Sequence, residues 1–285
     1  MQTIRRLEAL RPALAALREG DRRVALVPTM GALHEGHMAL IAAAKHRAER
    51  VVASVFVNPL QFGPNEDFSR YPRREAKDAS MLAEEGVDLL WMPSVEEMYP
   101  EGAATTVSVA GVSEPFDGAA RPGHFDGVAT VVSKLFNQVR PDVALFGEKD
   151  WQQLQVIRRM VADLDMGIEI VGVPTQRADD GLALSSRNAY LAAEERAKAV
   201  VLPRALGEAA RTIERGGDPA HAVGEAHRLL IAAGYAVDYL ALADAETLGQ
   251  PVFGRPRRLL VAARLGATRL IDNLAVAAEH EGERR

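Results

Sequence analysis

Two histidines on either side of a glycine are the first residues of chemical interest in this sequence. His34 and His37 close the run 28–37, which also holds Gly31 and Gly36 and lies between a short apolar run and a helix-like stretch. Backbone N–H groups at a helix N-terminus bind anions, glycines allow close approach, and imidazoles can donate hydrogen bonds to phosphate oxygens. The run therefore predicts a site for a nucleotide phosphate.

The spacing of this run excludes two other motifs. Gly31 and Gly36 are spaced as in a P-loop, but His37 and Met38 stand where Lys and Ser or Thr are required. A zinc site is not predicted, because the histidines are three positions apart, a glycine interrupts them and the chain has no cysteine. A glycine-rich turn with two solvent-exposed histidines remains the alternative.

Two neutral amides follow the next apolar run. Asn58 and Gln61 come directly after residues 51–57, which are apolar and rich in valine. Buried amides need partners, and an amide can orient a small hydroxy acid without supplying a charge. We expect the pair to bind such a substrate. The alternative is that both amides only satisfy backbone groups of their loop.

Two further loops carry cations. In the first, Lys149 follows a glycine turn and can reach a phosphate as a point charge, while Gln153 lies one turn into the next helix and faces the strand ends. Asp150 is predicted as the N-cap of that helix, and capping alone would explain an aspartate there. In the second, residues 184–187 offer two hydroxyls and a guanidinium, which suit either a loop that closes over a polyphosphate or a helix N-terminal cap.

The elements between these loops must bring them together. Short β-branched runs alternate with helix-like stretches from residue 24 to residue 173, which predicts a doubly wound parallel α/β sheet with ligands at the carboxyl ends of its strands. An amphipathic helix is predicted within the first twenty residues, and the tail 279–285 is predicted to fray. After Pro174 helices and strands are segregated, which indicates a smaller α+β domain. We place the two domains at residues 1–176 and 177–285.

Predicted strands are 24–27, 51–57, 87–91, 143–146, 168–173, 237–243, 259–265 and 269–276. Predicted helices are 37–50, 74–85, 127–139, 150–164 and the alanine-rich stretch 194–233.

The composition limits the class of protein. The chain has 285 residues, of which 48% are hydrophobic, 26% charged and 5% aromatic, as in an ordinary globular protein of about two domains. Its 34 Lys and Arg against 39 Asp and Glu give a net charge of −5, so a general nucleic-acid-binding surface is not predicted. The lack of cysteine excludes disulfides and thiolate nucleophiles. With neither a secretory signal nor a spanning segment recognisable, a cytoplasmic location is predicted.

These segments, in this order and spacing, resemble the pantothenate synthetase family of the nucleotidylyltransferase superfamily over nearly the whole chain. The resemblance rests on the run Pro-Thr-Met-Gly-Ala-Leu-His-Glu-Gly-His, combined with Phe-Gly-Glu-Lys-Asp and Leu-Ser-Ser-Arg-Asn. It implies a Rossmann-like domain with a smaller C-terminal lid domain, and a cytoplasmic homodimer. The implied reaction is the ATP-dependent joining of (R)-pantoate to β-alanine through a pantoyl adenylate, which gives pantothenate, the precursor of coenzyme A. Mg²⁺ would accompany ATP, with no tightly bound organic cofactor and no nucleic-acid or membrane partner.

The resemblance also implies roles for individual residues. The implied catalytic residues, with His37 as the acid, are His34, His37, Lys149 and Arg187. Those that would bind pantoate or β-alanine are Gln61, Gln153 and Asn58. Mg²⁺ is expected mainly on phosphate oxygens, with Asp78 as its protein ligand. The implied ATP site consists of Met30, Gly31, Ala32, Leu33, His34, Glu35, Gly36, His37, Gly147, Glu148, Lys149, Asp150, Gln176, Leu184, Ser185, Ser186 and Arg187.

The chain departs from the family pattern at two positions. Relatives usually carry two adjacent acids where this chain has Lys77 and Asp78, which weakens the assignment of a metal to Asp78. Gln176 stands where an aliphatic residue normally lines the adenine side. We expect that contact to be made through the backbone, so activity should survive both changes.

Two other functions compete with this interpretation. One is a nucleotidylyltransferase of the same superfold that passes AMP to a phosphate-bearing acceptor, which would favour basic residues where this chain has Asn58 and Gln61. The other is a nucleotide-binding protein or scaffold without catalytic activity. The two imidazoles, together with Lys149 and Arg187, argue against it, because binding alone does not require two imidazoles at the α-phosphate.

Overall fold

Two separate β-sheets organise the computed structural model, which describes residues 1–64 and 66–278. The tail for which fraying is predicted lies outside the described residues. The larger sheet is parallel and contains β1 (Gln2–Ile4), β2 (Val24–Thr29), β3 (Arg50–Val55), β4 (Leu89–Trp91), β5 (Val143–Gly147) and β6 (Glu169–Val173). The smaller sheet is antiparallel and contains β7 (Tyr235–Asp244), β8 (Arg257–Leu265) and β9 (Thr268–Val276).

The helices fall into the same two groups as the strands. Those that accompany the larger sheet are α1 (Leu7–Leu17), α2 (Glu35–Lys45), α3 (Glu75–Glu84), α4 (Val95–Met98), α5 (Asp117–Ala120), α6 (His124–Val139) and α7 (Trp151–Asp163). Those that accompany the smaller sheet are α8 (Ala193–Ala199), α9 (Val201–Glu214) and α10 (Pro219–Ala232). In the part of the chain that the structure describes, no helix combines the length and the apolar character needed to cross a membrane.

Successive residues of β2 enter two different hydrophobic cores. Val24 and Leu26 pack among residues of α1, α6 and α7, whereas Ala25 and Val27 pack among residues of α2 and α3. The strand is apolar on both faces because helices cover both sides of the sheet. The predicted doubly wound α/β fold, with a smaller α+β part after it, is confirmed.

The strand order reverses next to β2. The order across the sheet is β1-β4-β3-β2-β5-β6, so the chain first builds outward from β2 on one side and then continues with β5 and β6 on the other. In open α/β sheets the ligand crevice lies outside the carboxyl ends of the strands at such a reversal. The loops that follow β2, β3, β5 and β6 are those that hold the predicted site residues.

The structure differs from the predicted elements in several places, and among them the short helices α4 and α5 were not predicted and α6 begins at His124 instead of residue 127. The short edge strand β1 was also not predicted, because three residues are too few to show a periodic pattern. It is a strand because it pairs with β4. Helix α2 begins at Glu35 instead of residue 37, because the side chain of His34 caps its N-terminus. The alanine-rich stretch 194–233 forms three helices; the first break is at Val200, and the second is at Gly216 and Gly217, after which Asp218 caps α10.

Candidate active site

A cleft of about 220 Å³ lies at the carboxyl ends of β2, β3, β5 and β6. It begins at the end of β2, passes over α2 and α6, and is closed on one side by the segment that follows β6. Predicted site residues that line it are Met30, His34, Gly36, His37, Asn58, Gln61, Gly147, Lys149, Asp150, Gln153, Gln176, Leu184, Ser185, Ser186 and Arg187. The four separate sequence motifs therefore meet in one place.

Asp78 holds the loop before the histidines through hydrogen bonds to its backbone. This buried carboxylate accepts hydrogen bonds from the backbone N–H groups of Ala32 and Leu33, each at 2.9 Å. Gly31 has φ +82°, and a Cβ there would lie 2.9 Å from Asp78 Oδ2, so the turn requires glycine. The loop thus keeps its shape through a residue that lies in α3, far away in the sequence.

His34 and His37 form a reciprocal cap at the start of α2. The Nδ1 atom of His34 accepts a hydrogen bond from the N–H of Gly36 at 3.1 Å, and Nδ1 of His37 accepts one from the N–H of His34 at 3.3 Å. A ring that accepts at Nδ1 carries its proton on Nε2 when it is neutral. Both rings line the cleft, with their centroids 4.2 Å apart.

Both rings are neutral near pH 7. Burial lowers the pKa of His34 to about 4, with a further contribution from the Lys149 ammonium. Burial, the adjacent His34 and Lys149 lower the pKa of His37 to about 3. The loop therefore presents two neutral imidazoles, each with an Nε2–H donor, and not the pair of solvent-exposed histidines that the alternative interpretation describes.

Asn58 is buried and fully engaged within the protein. Its amide nitrogen donates to the Oε1 of Gln61 at 3.1 Å and to the carbonyl of Gly127 at 3.0 Å, while its Oδ1 accepts from Tyr99 and from the N–H of Leu60. Asn58 thereby fixes which end of the Gln61 amide carries the donor. The N–H group of that amide faces the sulfur of Met30 at 3.0 Å.

The cation of the next loop is oriented by the smaller sheet. The amide nitrogen of Asn273 in β9 donates to the carbonyls of Glu148 and Lys149 at 3.0 and 2.8 Å. The Nε–H of Arg258 in β8 donates to the Oδ1 of Asn273 at 2.6 Å and thereby orients this amide. The guanidinium carbon of Arg258 lies 3.4 Å from the centroid of the Trp151 ring. Among the described residues, the Lys149 ammonium has no carboxylate within ion-pair distance, so its charge is directed at the cleft without a neutralising partner.

The loop that contains Arg187 is tied to the segment after Gln61. Asp67 accepts two hydrogen bonds from the Arg187 guanidinium, at 3.1 and 2.9 Å, and the hydroxyls of Tyr71 and Ser186 are 3.1 Å apart. Burial disfavours the charged guanidinium, but the hydrogen bonds and charge of Asp67 outweigh this and raise the pKa of Arg187. Arg187 is a permanent cation that is paired in this state.

Gln176 lines the cleft, and its side chain turns back toward the backbone of Pro174. Its amide nitrogen donates to the carbonyl of Pro174 at 3.0 Å, and its own main-chain carbonyl accepts from the N–H of Leu184 at 2.9 Å. The side-chain nitrogen of this polar lining residue is therefore engaged within the protein.

Comparison with known proteins identifies the family. The profile of the family described as pantoate-beta-alanine ligase matches residues 2–275. The chain belongs to the pantoate–β-alanine ligase family. Among the relatives of this ligase, the pantothenate synthetases of Rhizorhabdus wittichii and Novosphingobium aromaticivorans are 64% and 61% identical, each over 97% of this chain and 99% of the relative.

Solved structures of the family have the same fold. The pantothenate synthetase of Thermus thermophilus is 53% identical and has a TM-score of 0.90 over 96% of this chain and 99% of its own. The pantoate–β-alanine ligase of Francisella tularensis, complexed with β,γ-ATP and β-alanine, is 32% identical and has a TM-score of 0.81 over 96% of this chain and 97% of its own. The chain is therefore a ligase of pantothenate biosynthesis.

Six residues assigned to the ligase site by resemblance do not line the cleft. Glu35 is exposed, and Glu148 forms an ion pair with Arg258 at 3.3 Å. The others belong to the loop and its support, and they are Gly31, Ala32, Leu33 and Asp78. These four residues shape the loop that presents the histidines.

The expectation of a metal at Asp78 is not supported by its position. Its two oxygens accept the backbone N–H groups of Ala32 and Leu33, underneath the loop and outside the cleft. No cluster of three or more His, Asp or Glu side chains that could hold a metal occurs among the described residues. In this structure Asp78 anchors the histidine loop.

Sequence reasoning missed the residues that position the site from a distance. These are Asp67, Tyr71, Arg258 and Asn273, which hold loops identified correctly but lie in other parts of the chain. Of these four, only Asp67 stood out in the sequence, as an acidic residue in a polar segment. Its charge alone does not show that it pairs with Arg187.

Proposed function

We propose that this ligase condenses (R)-pantoate with β-alanine to give pantothenate, AMP and pyrophosphate through a pantoyl adenylate. The observation that carries the proposal is the meeting of two chemically different surfaces in one cleft. On one side lie the Nε2–H donors of His34 and His37 with the Lys149 ammonium, and on the other lie the uncharged amides of Gln61 and Gln153. The first suits a triphosphate, and the second a small hydroxy acid.

In the first half-reaction the pantoate carboxylate attacks the α-phosphorus of ATP, and pyrophosphate leaves. Negative charge increases on the α-phosphate oxygens in the transition state, so fixed donors there accelerate the step. We assign the two imidazoles to those oxygens and Lys149 to the departing pyrophosphate. Because burial lowers the pKa of His37 to about 3, we propose that it acts as a neutral hydrogen-bond donor, and the role of acid that the resemblance implies stays the alternative.

In the second half-reaction the amine of β-alanine attacks the acyl carbon of the adenylate, and AMP leaves. The nucleophile is the substrate amine, so the protein supplies no nucleophile of its own, in agreement with a chain that has no cysteine. We assign Gln61, whose amide is oriented by Asn58, to both pantoate and β-alanine, and Gln153 to pantoate; both line the cleft. Catalysis then rests on positioning and on electrostatic stabilisation.

Arg187 and Ser185 to Ser186 complete the proposed nucleotide site. Arg187 must exchange one or both hydrogen bonds to Asp67 for phosphate oxygens when ATP binds. Mg²⁺ is proposed to enter as part of the MgATP substrate, on phosphate oxygens, since Mg²⁺ keeps several waters and takes few protein carboxylates in phosphate sites. Asp150 is the acidic side chain among the lining residues that faces this region.

A phosphate-bearing acceptor fits the cleft less well. Of the described lining residues, the basic ones are Lys149 and Arg187, and both belong to the nucleotide side. The acceptor side consists of amides and of apolar residues from α6, including Val131 and Leu135. A phosphate monoester would bring close to two negative charges to that side without a counter-charge. A small hydroxy acid brings a single carboxylate, which reacts at the nucleotide side near Lys149 and Arg187, so the hydroxy acid is favoured.

Two further expectations remain part of the proposal. We assign residues 1–176 to the nucleotide- and pantoate-binding domain and residues 177–285 to a C-terminal lid domain, supported by the separate hydrophobic clusters around the two sheets. We also propose a homodimer that works in the cytoplasm, where its co-substrate ATP is made and used. Light scattering after size-exclusion chromatography tests the dimer.

Pyrophosphate release from MgATP tests the reaction itself. The purified protein is assayed with no other substrate, with pantoate, and with pantoate plus β-alanine. We expect release to require pantoate and turnover to increase when β-alanine is added. Release that does not depend on pantoate, or that is stimulated only by a phosphorylated acceptor, would redirect the assignment to another nucleotidylyltransferase while keeping the nucleotide site.

A further inference from the structure

Outside the cleft, one buried histidine contacts the backbone of a residue in the proposed pantoate site. Nδ1 of His124 lies 2.8 Å from the carbonyl oxygen of Gln61, and its Nε2 lies 3.0 Å from a terminal nitrogen of Arg121. A carbonyl only accepts and a guanidinium only donates, so Nδ1 must carry the ring proton and Nε2 must be bare. His124 is thus the opposite tautomer of His34 and His37.

The surroundings keep the His124 ring in this form. The side chain is 9% exposed, and burial together with the charge of Arg121 lowers its pKa to about 4. A proton on Nε2 would face the guanidinium. Arg121 is itself held by Glu66 through two hydrogen bonds of 2.6 Å, and it donates a third to the Gln61 carbonyl at 3.2 Å.

The start of α6 packs tightly on the turn that carries Gln61. A Cβ on Gly127 would lie 2.2 Å from the carbonyl oxygen of Leu60, so only glycine lets the helix approach so closely. Asn58 holds the side-chain end of Gln61, and His124 with Arg121 holds its main chain. Neither His124 nor Arg121 lines the cleft, and both act through Gln61.

We propose that His124 is a positioning residue for pantoate, which fixes the 59–61 turn by donating from Nδ1 to the Gln61 carbonyl. The inference rests on the proposed function, because it assumes that Gln61 binds pantoate. Its physical basis is that a shift of about 1 Å in a substrate-binding group can cost on the order of 10²-fold in rate. The anchor at the Gln61 carbonyl opposes such a shift, in addition to Asn58, which holds the side-chain end of Gln61 and the N–H of Leu60.

Two matched substitutions separate the proposed hydrogen bond from mere packing. In His124→Asn the amide nitrogen replaces Nδ1, so the donor to Gln61 is kept. In His124→Gln the amide lies near the position of Nε2, and the donor to Gln61 is lost. We expect the KM for pantoate to stay within about threefold of the wild-type value in His124→Asn and to rise about tenfold or more in His124→Gln, the range of a lost buried hydrogen bond.

The KM for ATP is expected to be unchanged in both variants, because His124 does not reach the nucleotide side. Thermal unfolding of each variant shows whether it is folded. Equal KM values for pantoate in the two folded variants, or a parallel rise in the KM for ATP, would overturn the positioning role.

A spectroscopic measurement on the wild-type protein needs no variant. The ¹⁵N chemical shifts of the imidazoles at pH 7 distinguish a proton on Nδ1 from one on Nε2. We expect His124 to show the Nδ1–H form, and His34 and His37 the Nε2–H form. A His124 ring that is protonated on Nε2 would overturn the inference even if every variant failed to fold.

The substitution Gln61→Ala distinguishes this inference from the proposed function. If Gln61→Ala leaves the KM for pantoate unchanged, the proposed role of Gln61 is wrong, and the positioning role of His124 is wrong with it. If Gln61→Ala raises the KM for pantoate and His124→Gln does not, only the role of His124 is overturned.

Discussion

The neutral imidazole of His37 gives the sharpest test of the proposed chemistry. Its Nδ1 serves the fold, by capping α2, and its Nε2–H is the donor assigned to the α-phosphate. Substitution by asparagine keeps an acceptor near Nδ1 and removes the distal donor. Substitution by glutamine keeps a donor near Nε2 and removes the proximal acceptor.

The sizes of the two effects follow from the geometry. Loss of one fixed donor to a developing oxyanion costs about 10² to 10³ in kcat. His37→Asn should therefore lower kcat by at least about 10²-fold with little change in the KM for ATP, and His37→Ala should do the same. The capping hydrogen bond is 3.3 Å long, which is at the weak end of the range, so its loss in His37→Gln should cost about 1 kcal/mol or less of the free energy of unfolding.

Steady-state release of pyrophosphate, with ATP and pantoate varied separately, gives kcat and both KM values. Urea unfolding of the same preparations gives the stability. We expect His37→Gln to keep kcat within about tenfold of the wild-type value, since it retains a donor. A kcat for His37→Asn as high as that of His37→Gln would refute the assignment of the donor. A kcat for His37→Gln as low as that of His37→Asn would show that proton transfer is required and that a neutral donor is insufficient.

Three further predictions test the supports of the site. Asp78→Ala removes the acceptor of two buried N–H groups, so it should lower the free energy of unfolding by about 2 to 4 kcal/mol and raise the KM for ATP. The Mg²⁺ concentration for half-maximal rate should stay the same. A shift in that concentration alone would support a metal-binding role for Asp78. Asp67 and the ATP phosphates would compete for the Arg187 guanidinium. Asp67→Asn removes the charge of the internal partner and should lower the Kd for ATP by about tenfold in equilibrium binding. Weaker binding would mean that Asp67 orients Arg187 for ATP. His37 and His124 have a pKa well below the ordinary value of 6.5, so the unfolded chain binds more protons than the folded chain and stability should fall as the pH falls from about 6.5 toward 4. For His124 the loss at pH 5 is about 2 kcal/mol, and a urea-unfolding free energy that stays constant between pH 7 and pH 4.5 would contradict it.

The sequence predicts the parts of the fold that repeat along the chain. Residues 24–27 and 51–57 are apolar at nearly every position, and strands covered on both faces require that pattern, so their place inside the sheet could be recognised. Because parallel strands share one carboxyl edge, the loops with His34, Lys149 and Gln61 could be expected to meet there. The cleft they line confirms this expectation of proximity.

Residues that act across long sequence distances could not be predicted in this way. Asp78 lies 45 positions from Leu33, whose N–H group it binds, and Asn273 lies 124 positions from Lys149, whose carbonyl it binds. Neither contact leaves a periodic trace in the sequence. The cap formed by His34 was missed for another reason, since histidine is not among the residues that usually cap a helix.

The hydrogen bonds from Asn273 to the backbone of the Lys149 loop connect the second sheet to the proposed nucleotide site. Because this amide binds two successive carbonyls, and Arg258 stacks on the ring of Trp151 beside them, we expect a rotation of the C-terminal part to move the loop with it. A movement that opened the C-terminal part away from the cleft would therefore also move the Lys149 ammonium away from the phosphates. Release of pyrophosphate and loss of its main counter-charge would then be a single event, with no separate step needed to weaken the electrostatic hold on the product.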